Sequence, residues 1–477
     1  MSGLVAGLDQ GTSSTRCVVL DEELNERGSA SVPLSCSFPG PGLVEQDPEA
    51  LVRSAEEAIA GTGVAPSDLV ALGIANQTET FVVWDRGTGE AVHPAIVWQD
   101  RRTDDACAAL ADHAALVRER TGLELDATFP ATKLRRLLDR GAAPGDGGPD
   151  LVAAAEAGRL AYGDVASWLL FRLAGVHVCD AGNAGRSLLC PLGGGDWDGE
   201  LLDLFGIPRA LLPPIVDSDR IEAETRDGMR IAAAAGDQQA SLFGLRCLEP
   251  GSAKVTLGTG AFVLAQAGAE PPRPPDGILA STAWRRAGTT SFALEGFIPT
   301  AGAAVDWFAR VGALPAGREL DALLRESRPG PVCVPALQGL GSPSWDAGAR
   351  GAVLGLSLGS TRADLARAVV DGVLHQVADA VDAIGTLTTL RVDGGLSRSG
   401  WIVQRLADLA GVRVERTARP DSTALGAATL AGLAAGVWAD PGDLPEIAAD
   451  LVAEPRLDRA GERERWAAAR ELAVRWR

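Results

Sequence analysis

Short apolar runs broken by glycine-rich polar turns recur along the chain and alternate with stretches of helical period. Leu4-Val5-Ala6-Gly7-Leu8 predicts a buried strand that enters the turn Asp9-Gln10-Gly11-Thr12-Ser13-Ser14, and Cys17-Val18-Val19-Leu20 leaves it as a second strand. Asp47 and Pro48 mark the start of a helix over about 48–61. The apolar run from Val70 to Ala75 predicts a strand leading to Asn76-Gln77-Thr78-Glu79. Ile231-Ala232-Ala233-Ala234-Ala235 predicts another, followed at once by Gly236-Asp237-Gln238-Gln239-Ala240. This alternation, sustained to about residue 245, predicts an α/β fold. Residues 141–150, rich in Gly, Pro and Asp, predict a surface loop and not a domain boundary, because the helical pattern continues on both sides.

A second cycle starts near residue 252. Ala253-Lys254-Val255-Thr256-Leu257 reaches the turn Gly258-Thr259-Gly260, and Ala261-Phe262-Val263-Leu264 leaves it. The repeated layout of strand, glycine and hydroxyl turn, strand suggests a duplicated fold. A long helix is predicted over about 362–384, with Leu365, Val369, Val373 and Val377 on one broad stripe. A short strand ends in Arg391-Val392-Asp393-Gly394-Gly395, a helix follows over about 399–410, and Leu425–Leu430 belongs to a last helix of small residues suited to close packing.

With 477 residues, two domains are expected, at roughly 100–200 residues each. Apolar content of 46% and charged content of 22% are those of a soluble globular protein. A formal net charge of −19 argues against nucleic-acid and anionic-membrane partners. Lys133 and Lys254 are the only lysines. Seven scattered cysteines without a Cys-x-x-Cys pair argue against a disulfide framework or a zinc site, and the four histidines lack metal-ligand spacing. With no basic leader and no 18-residue apolar run, the expected location is the cytoplasm.

The polar turns are the candidate chemistry. Glycine and hydroxyl turns such as Asp9–Ser14, Gly258–Gly260 and Asp393–Gly395 can cradle an anion through backbone and hydroxyl donors, although glycine turns are common without any ligand. Neither a Walker A sequence nor a dinucleotide fingerprint is present. Asp9 and Asp237 both sit at strand ends, where one can hold a magnesium ion through water and the other can serve as general base. An alternative for Asp237 is a cap on the helix that follows it. Trp98 fits either the core or a ligand wall, and Glu79 either a hydroxyl acceptor or a solvated turn.

Taken together, the ordered motifs resemble the FGGY carbohydrate kinases, and within them the glycerol kinases, nearly end to end. They are Leu8–Arg16, Asn76–Thr80, Val97–Thr103, Gly236–Ala240, Gly258–Phe262, Gly339–Pro343 and a pattern running from Gly351 to Asp371. The resemblance implies two actin-like (ribonuclease-H-like) domains, 1–245 and 246–477, with an ATP and substrate cleft between them. It implies phosphorylation of a primary hydroxyl of a small polyol, glycerol first, or alternatively of a longer polyol or a ketose. ATP and magnesium are the implied cofactors, and a homodimer or homotetramer the implied assembly.

Position by position, it implies that Asp237 is the general base and that Asp9, with Asp237 beside it, organises magnesium. Thr12, Ser13, Ser14 and Arg16 match the first phosphate loop, Thr259 and Gly302 the second, and Gly395 and Ser399 the adenosine site. Family members carry asparagine where this chain has Ser399. Glu79 and Gln238 match polyol-hydroxyl ligands, and Trp98 and Phe262 match walls against the substrate carbons. Thr78 and Thr128 stand where glycerol kinases have arginine and tyrosine, and Arg136 where tryptophan is usual. A non-catalytic sugar sensor would be expected to lose Asp237 or the phosphate turns, and this chain has both. An actin- or chaperone-like ATPase would not be expected to carry Trp98, Glu79 and Gln238 in these contexts.

Overall fold

The two predicted strand–turn–strand units form the centres of two sheets in a computed structural model that describes residues 3–140, 150–312, 318–417, 419 and 421–476. The first sheet runs Ala223–Glu224, Arg230–Gly236, Leu69–Asn76, Leu4–Gln10, Ser14–Leu20, Glu26–Pro33. The second runs Leu279–Arg286, Thr289–Ile298, Ala261–Gly268, Ser252–Leu257, Thr389–Asp393, Arg413–Thr417, Ala449–Ala453. In each, the central strand pairs antiparallel with the strand after its turn and parallel with a strand from later in the chain. This is the duplicated layout expected of two ribonuclease-H-like units. The loop predicted at 141–150 lies, except for Asp150, outside the described residues.

Parallel pairing brings strand ends to one edge. Gln10 is level with Asn76, and Asn76 with Gly236, so the residues that follow (Gly11, Gln77 and Asp237) emerge side by side. Asp9 faces Arg16 across the hairpin, and in the second sheet Thr256 is level with Asp393. Ligands of open α/β sheets bind outside such carboxyl ends. A smaller four-stranded sheet, Glu45–Gln46, Ala95–Ile96, Phe81–Asp85 and Leu160–Asp164, with its own core around Phe81, Phe129, Leu134 and Tyr162, carries the loops that wall the cleft.

The helix of small residues is Ser422–Ala435, and it binds the two halves of the chain together. It lies on the first sheet and against the helix Asp237–Gly244 at backbone contact. A Cβ on Gly7 would come 1.9 Å from the Ala424 carbonyl oxygen, one on Gly73 2.0 Å from that of Ala427, and one on Gly426 1.8 Å from that of Ala240. Glycine at these positions is what permits the approach.

The long helix Arg362–Ile384 departs from the predicted single stripe. It is buried on all sides from Gly372 to Val381, and Leu365 is only half-buried. The helix packs between strands of the second sheet and the helices Gly400–Ala410 and Ala460–Arg475, so a one-sided pattern gave way to burial all round. Among the described residues no helix is long and apolar enough to cross a membrane, and all seven cysteines are free thiols.

Gly426→Ala is expected to destabilise the protein by about 1–3 kcal/mol or more, as overpacking does. The urea unfolding midpoint measures it. Gly461→Ala is the control: it sits in the helix Ala460–Arg475 with nothing within 4 Å of the added methyl, and the midpoint is expected to stay or rise slightly.

Candidate functional site

A cavity of about 100 Å³ opens at the converging strand ends. Thr78, Glu79, Trp98, Thr128, Asp237, Gln238 and Phe262, all singled out from the sequence, line it together with Thr12. The Trp98 and Phe262 rings meet edge-on at 6.5 Å, and Phe262 stacks toward Phe297 at 4.9 Å. Asp237 is the first residue of the helix Asp237–Gly244, so Gly236, not Asp237, holds the capping position. One Asp237 oxygen accepts the Gln238 backbone N–H at 2.8 Å.

A hydrogen-bond relay ties the first turn to the cavity wall. The Gln77 carboxamide oxygen accepts from the hydroxyls of Thr12 (3.1 Å) and Thr80 (3.0 Å), and its amide donates to Gly11 and Gln46. The Trp98 indole N–H donates to Thr12 Oγ1 at 3.1 Å, and the Trp98 backbone N–H donates to Thr80 Oγ1. Thr12, expected only at the phosphate turn, therefore also orients the acceptor wall. Lys133, fully buried, donates from Nζ to the carbonyls of Val97 (3.2 Å), Trp98 (3.5 Å) and Thr128 (2.8 Å), joining the two loops that frame the cavity. The Thr128 hydroxyl is held by Asp126 at 2.6 Å. Arg136 pairs with Asp105, away from the cavity lining.

Burial and crowding of carboxylates set the electrostatics. Asp237 is pushed up to about 6, first by burial and then by the charge of Glu79, against the pull of Lys254 and the Gln238 N–H. Asp9 is pushed up to about 7 by burial and by Asp237 and Asp421, with Arg16 opposing. Lys254, also fully buried, donates to Thr256 Oγ1 at 2.8 Å and to the Gln238 carboxamide oxygen. Its ammonium fixes the Gln238 amide so that the NH₂ end is the one left for a ligand. The Asp393 carboxylate accepts from Ser422 and Ser241 (3.4 Å), while its other oxygen, buried, has no partner.

The remaining predicted residues lie outside the cavity lining. Ser13 is exposed and Ser14 half-buried at the start of its strand. Arg16, expected at a phosphate, pairs with Asp421 at 2.8 Å, at the start of the Ser422–Ala435 helix, and keeps part of its surface exposed. Thr259 and Gly302 are joined: the Ala301 and Ala303 N–H groups donate to the Thr259 carbonyl and the Gly302 N–H to that of Gly258. Gly302 opens the helix Gly302–Arg310, where a side chain would collide with the Gly258 carbonyl. Gly395 has open space around it. The Ser399 hydroxyl caps the helix Gly400–Ala410 and also donates to Asp321, which commits it to the protein.

Sequence reasoning missed Arg186, Glu295, Gln77 and the role of Lys254. Arg186 joins Glu79 and Glu295 in a buried triad on the cavity wall. The signal was there in Glu295, an acid inside the apolar strand Phe292-Ala293-Leu294-Glu295-Gly296-Phe297, which needs a buried cation.

The chain is similar to known proteins over nearly its whole length. Residues 4–244 match the N-terminal domain of the FGGY family of carbohydrate kinases, and residues 253–435 its C-terminal domain. A glycerol kinase of Aromatoleum aromaticum is 44% identical over 100% of this chain and 98% of its own. Among solved structures, Plasmodium falciparum glycerol kinase with ADP superposes with a TM-score of 0.91 at 27% identity, over 99% of this chain and 98% of that one. A xyloylose kinase from Brucella ovis superposes at 0.87 with 27% identity, over 98% and 99%.

The Asp237 carboxyl is expected to titrate near pH 6, with its neighbours acting in opposite directions. Lys254→Met removes an attraction for the carboxylate and moves the titration up. Glu79→Gln removes a repulsion and moves it down. Carboxyl ¹³C NMR, with the Asp237 signal assigned from its loss in Asp237→Asn, measures both shifts.

Proposed function

The chain belongs to the FGGY family of carbohydrate kinases, and on that premise we propose that it transfers the γ-phosphoryl group of ATP to a primary hydroxyl of glycerol, giving glycerol 3-phosphate. The observation that carries this reading is the Asp237 carboxylate at the mouth of a helix, facing a small cavity of polyol-sized volume walled by aromatic rings. Whole-chain likeness to glycerol kinases supports the same acceptor.

In the reaction the acceptor oxygen attacks the γ-phosphorus in line, its proton passes to Asp237, and ADP leaves. Such transfers depend mainly on positioning and charge neutralisation. A carboxylate raised to about 6 is ionised at neutral pH yet basic enough to accept that proton. The Gln238 amide, held by Lys254, donates to an acceptor hydroxyl, and Trp98 and Phe262 press on its carbons. The turn at Thr12–Ser14 and the Thr259–Gly302 junction bind phosphates; Gly395 borders the adenosine. Ser399, which caps the helix Gly400–Ala410, stands beside it.

Magnesium fits the other end of the cleft. Asp9 is crowded by Asp237, Asp421 and Asp393, and one buried Asp393 oxygen lacks a donor, a set that favours a cation. Among the described residues no three ligating side chains converge, and Mg²⁺ characteristically takes one or two carboxylates with water and phosphate oxygens. Asp9 would hold it, and the ion would neutralise charge on the transferred group. The cytoplasm is the proposed compartment, supported by seven free thiols.

One observation favours a second acceptor, a longer polyol or a ketose: Thr78 and Thr128 are small where the cavity could otherwise be filled. Asp237→Asn is expected to lower turnover by about 10²–10⁴-fold, the usual worth of a general base, with ATP affinity kept. Full activity in that variant would overturn the assignment. A coupled ADP-release assay over glycerol, tetritols, pentitols and ketopentoses with Thr78→Arg decides the acceptor: improved glycerol turnover supports glycerol, and no improvement supports the longer substrate.

A further inference from the structure

Arg186 is, among the described residues, the only cation on the cavity wall. Its Nε donates to Glu79 Oε1 at 2.6 Å, and its two terminal nitrogens donate to the Glu295 carboxylate at 2.7 and 3.2 Å. The Phe129 ring covers one face of the guanidinium, 5.4 Å from Cζ to centroid. A guanidinium carries five N–H groups, so two have no protein acceptor among the described residues. Glu79 holds φ at +63°, a region that non-glycine residues rarely adopt, and so delivers its carboxylate to the Arg186 side. Arg186 and Glu79 come from one half of the chain and Glu295 from the other, which fixes the fork rigidly where the halves meet.

We propose that Arg186 is a specificity-determining residue that binds the acceptor directly. Its free N–H groups and the adjoining Glu79 carboxylate grip two neighbouring hydroxyls, and the site thereby selects an uncharged vicinal diol. This rests on the kinase reading above. The guanidinium donates to one hydroxyl oxygen while the carboxylate accepts a hydrogen bond from the next, a donor and acceptor pair that a diol matches and a lone hydroxyl does not. A pocket built to hydrogen-bond a hydroxyl discriminates against a substrate lacking it, because its buried polar groups are left unpaired. Charge adds a second filter. Glu79, Glu295 and Asp237 outnumber Arg186, so an acceptor bearing a carboxylate is repelled.

The test compares glycerol with propane-1,3-diol, which keeps both primary hydroxyls and loses the vicinal one. Wild-type enzyme is expected to prefer glycerol in kcat/KM, and Arg186→Lys, which keeps the charge but loses the fork, to raise the KM for glycerol by about 10–100-fold, the worth of a charge-assisted hydrogen bond. The KM for propane-1,3-diol and for ATP should move little. Glu295→Gln, which frees one side of the fork while keeping its shape, should erode the same preference and narrow the gap between glycerol and glycerate. It serves if the lysine variant does not fold. Equal losses on both diols, with a falling unfolding midpoint, would mean a purely structural role and overturn the proposal. A wild type that neither turns over nor binds any polyol, followed by Trp98 and Trp345 fluorescence, would overturn the kinase reading itself.

Discussion

Charge that is buried or half-buried dominates the cleft. Asp9, Asp237, Asp393, Asp421, Glu79 and Glu295 gather where the two sheets end, and Arg16, Arg186 and Lys254 are set among them. A buried charge persists only with a partner, and removing one member of a buried pair costs roughly 3–5 kcal/mol. The cations therefore fix where each carboxylate points. Arg186 holds Glu79 and Glu295, and Lys254 holds Gln238 and moderates Asp237. What remains undercompensated, Asp9 above all, is where an added cation and its phosphates gain most.

The architecture delivers this arrangement through backbone geometry. Parallel strands end level with one another, so Gly11, Gln77 and Asp237 share an edge without any long-range design of side chains. The glycine-permitted contact of the Ser422–Ala435 helix brings Asp421 and Ser422 from the far end of the chain to that same edge. Gln77 and Thr12 then connect the nucleotide-side turn to Trp98, so a shift of the turn is felt at the acceptor wall. Positioning of the two reactants is thus one mechanical problem and not two.

Much of this was readable from the residues. The strands around Leu4–Leu20 and Ser252–Leu264, the helix start at Asp47, the helix following Gly395 and the small-residue helix follow from local pattern, because period and turn chemistry act over a few positions. The cavity's side chains were identified in kind, since motifs at strand ends carry them. Arg186 and Glu295 escaped because their meaning lies in a partner 109 residues away, which periodicity does not report. Arg16 was read by its place in a turn, yet its guanidinium goes to Asp421, 405 residues distant. The stripe on Arg362–Ile384 failed for a related reason: a helix between two layers loses the contrast that amphipathicity measures.

The two lysines invite a different reading. Lys133 and Lys254 are both fully buried beside the cavity, and every other basic side chain except histidine is an arginine. The folded surface therefore offers acylating, glycating or amine-crosslinking reagents no lysine to attack. For this molecule, loss of a lysine amine is a record of the cleft having come apart.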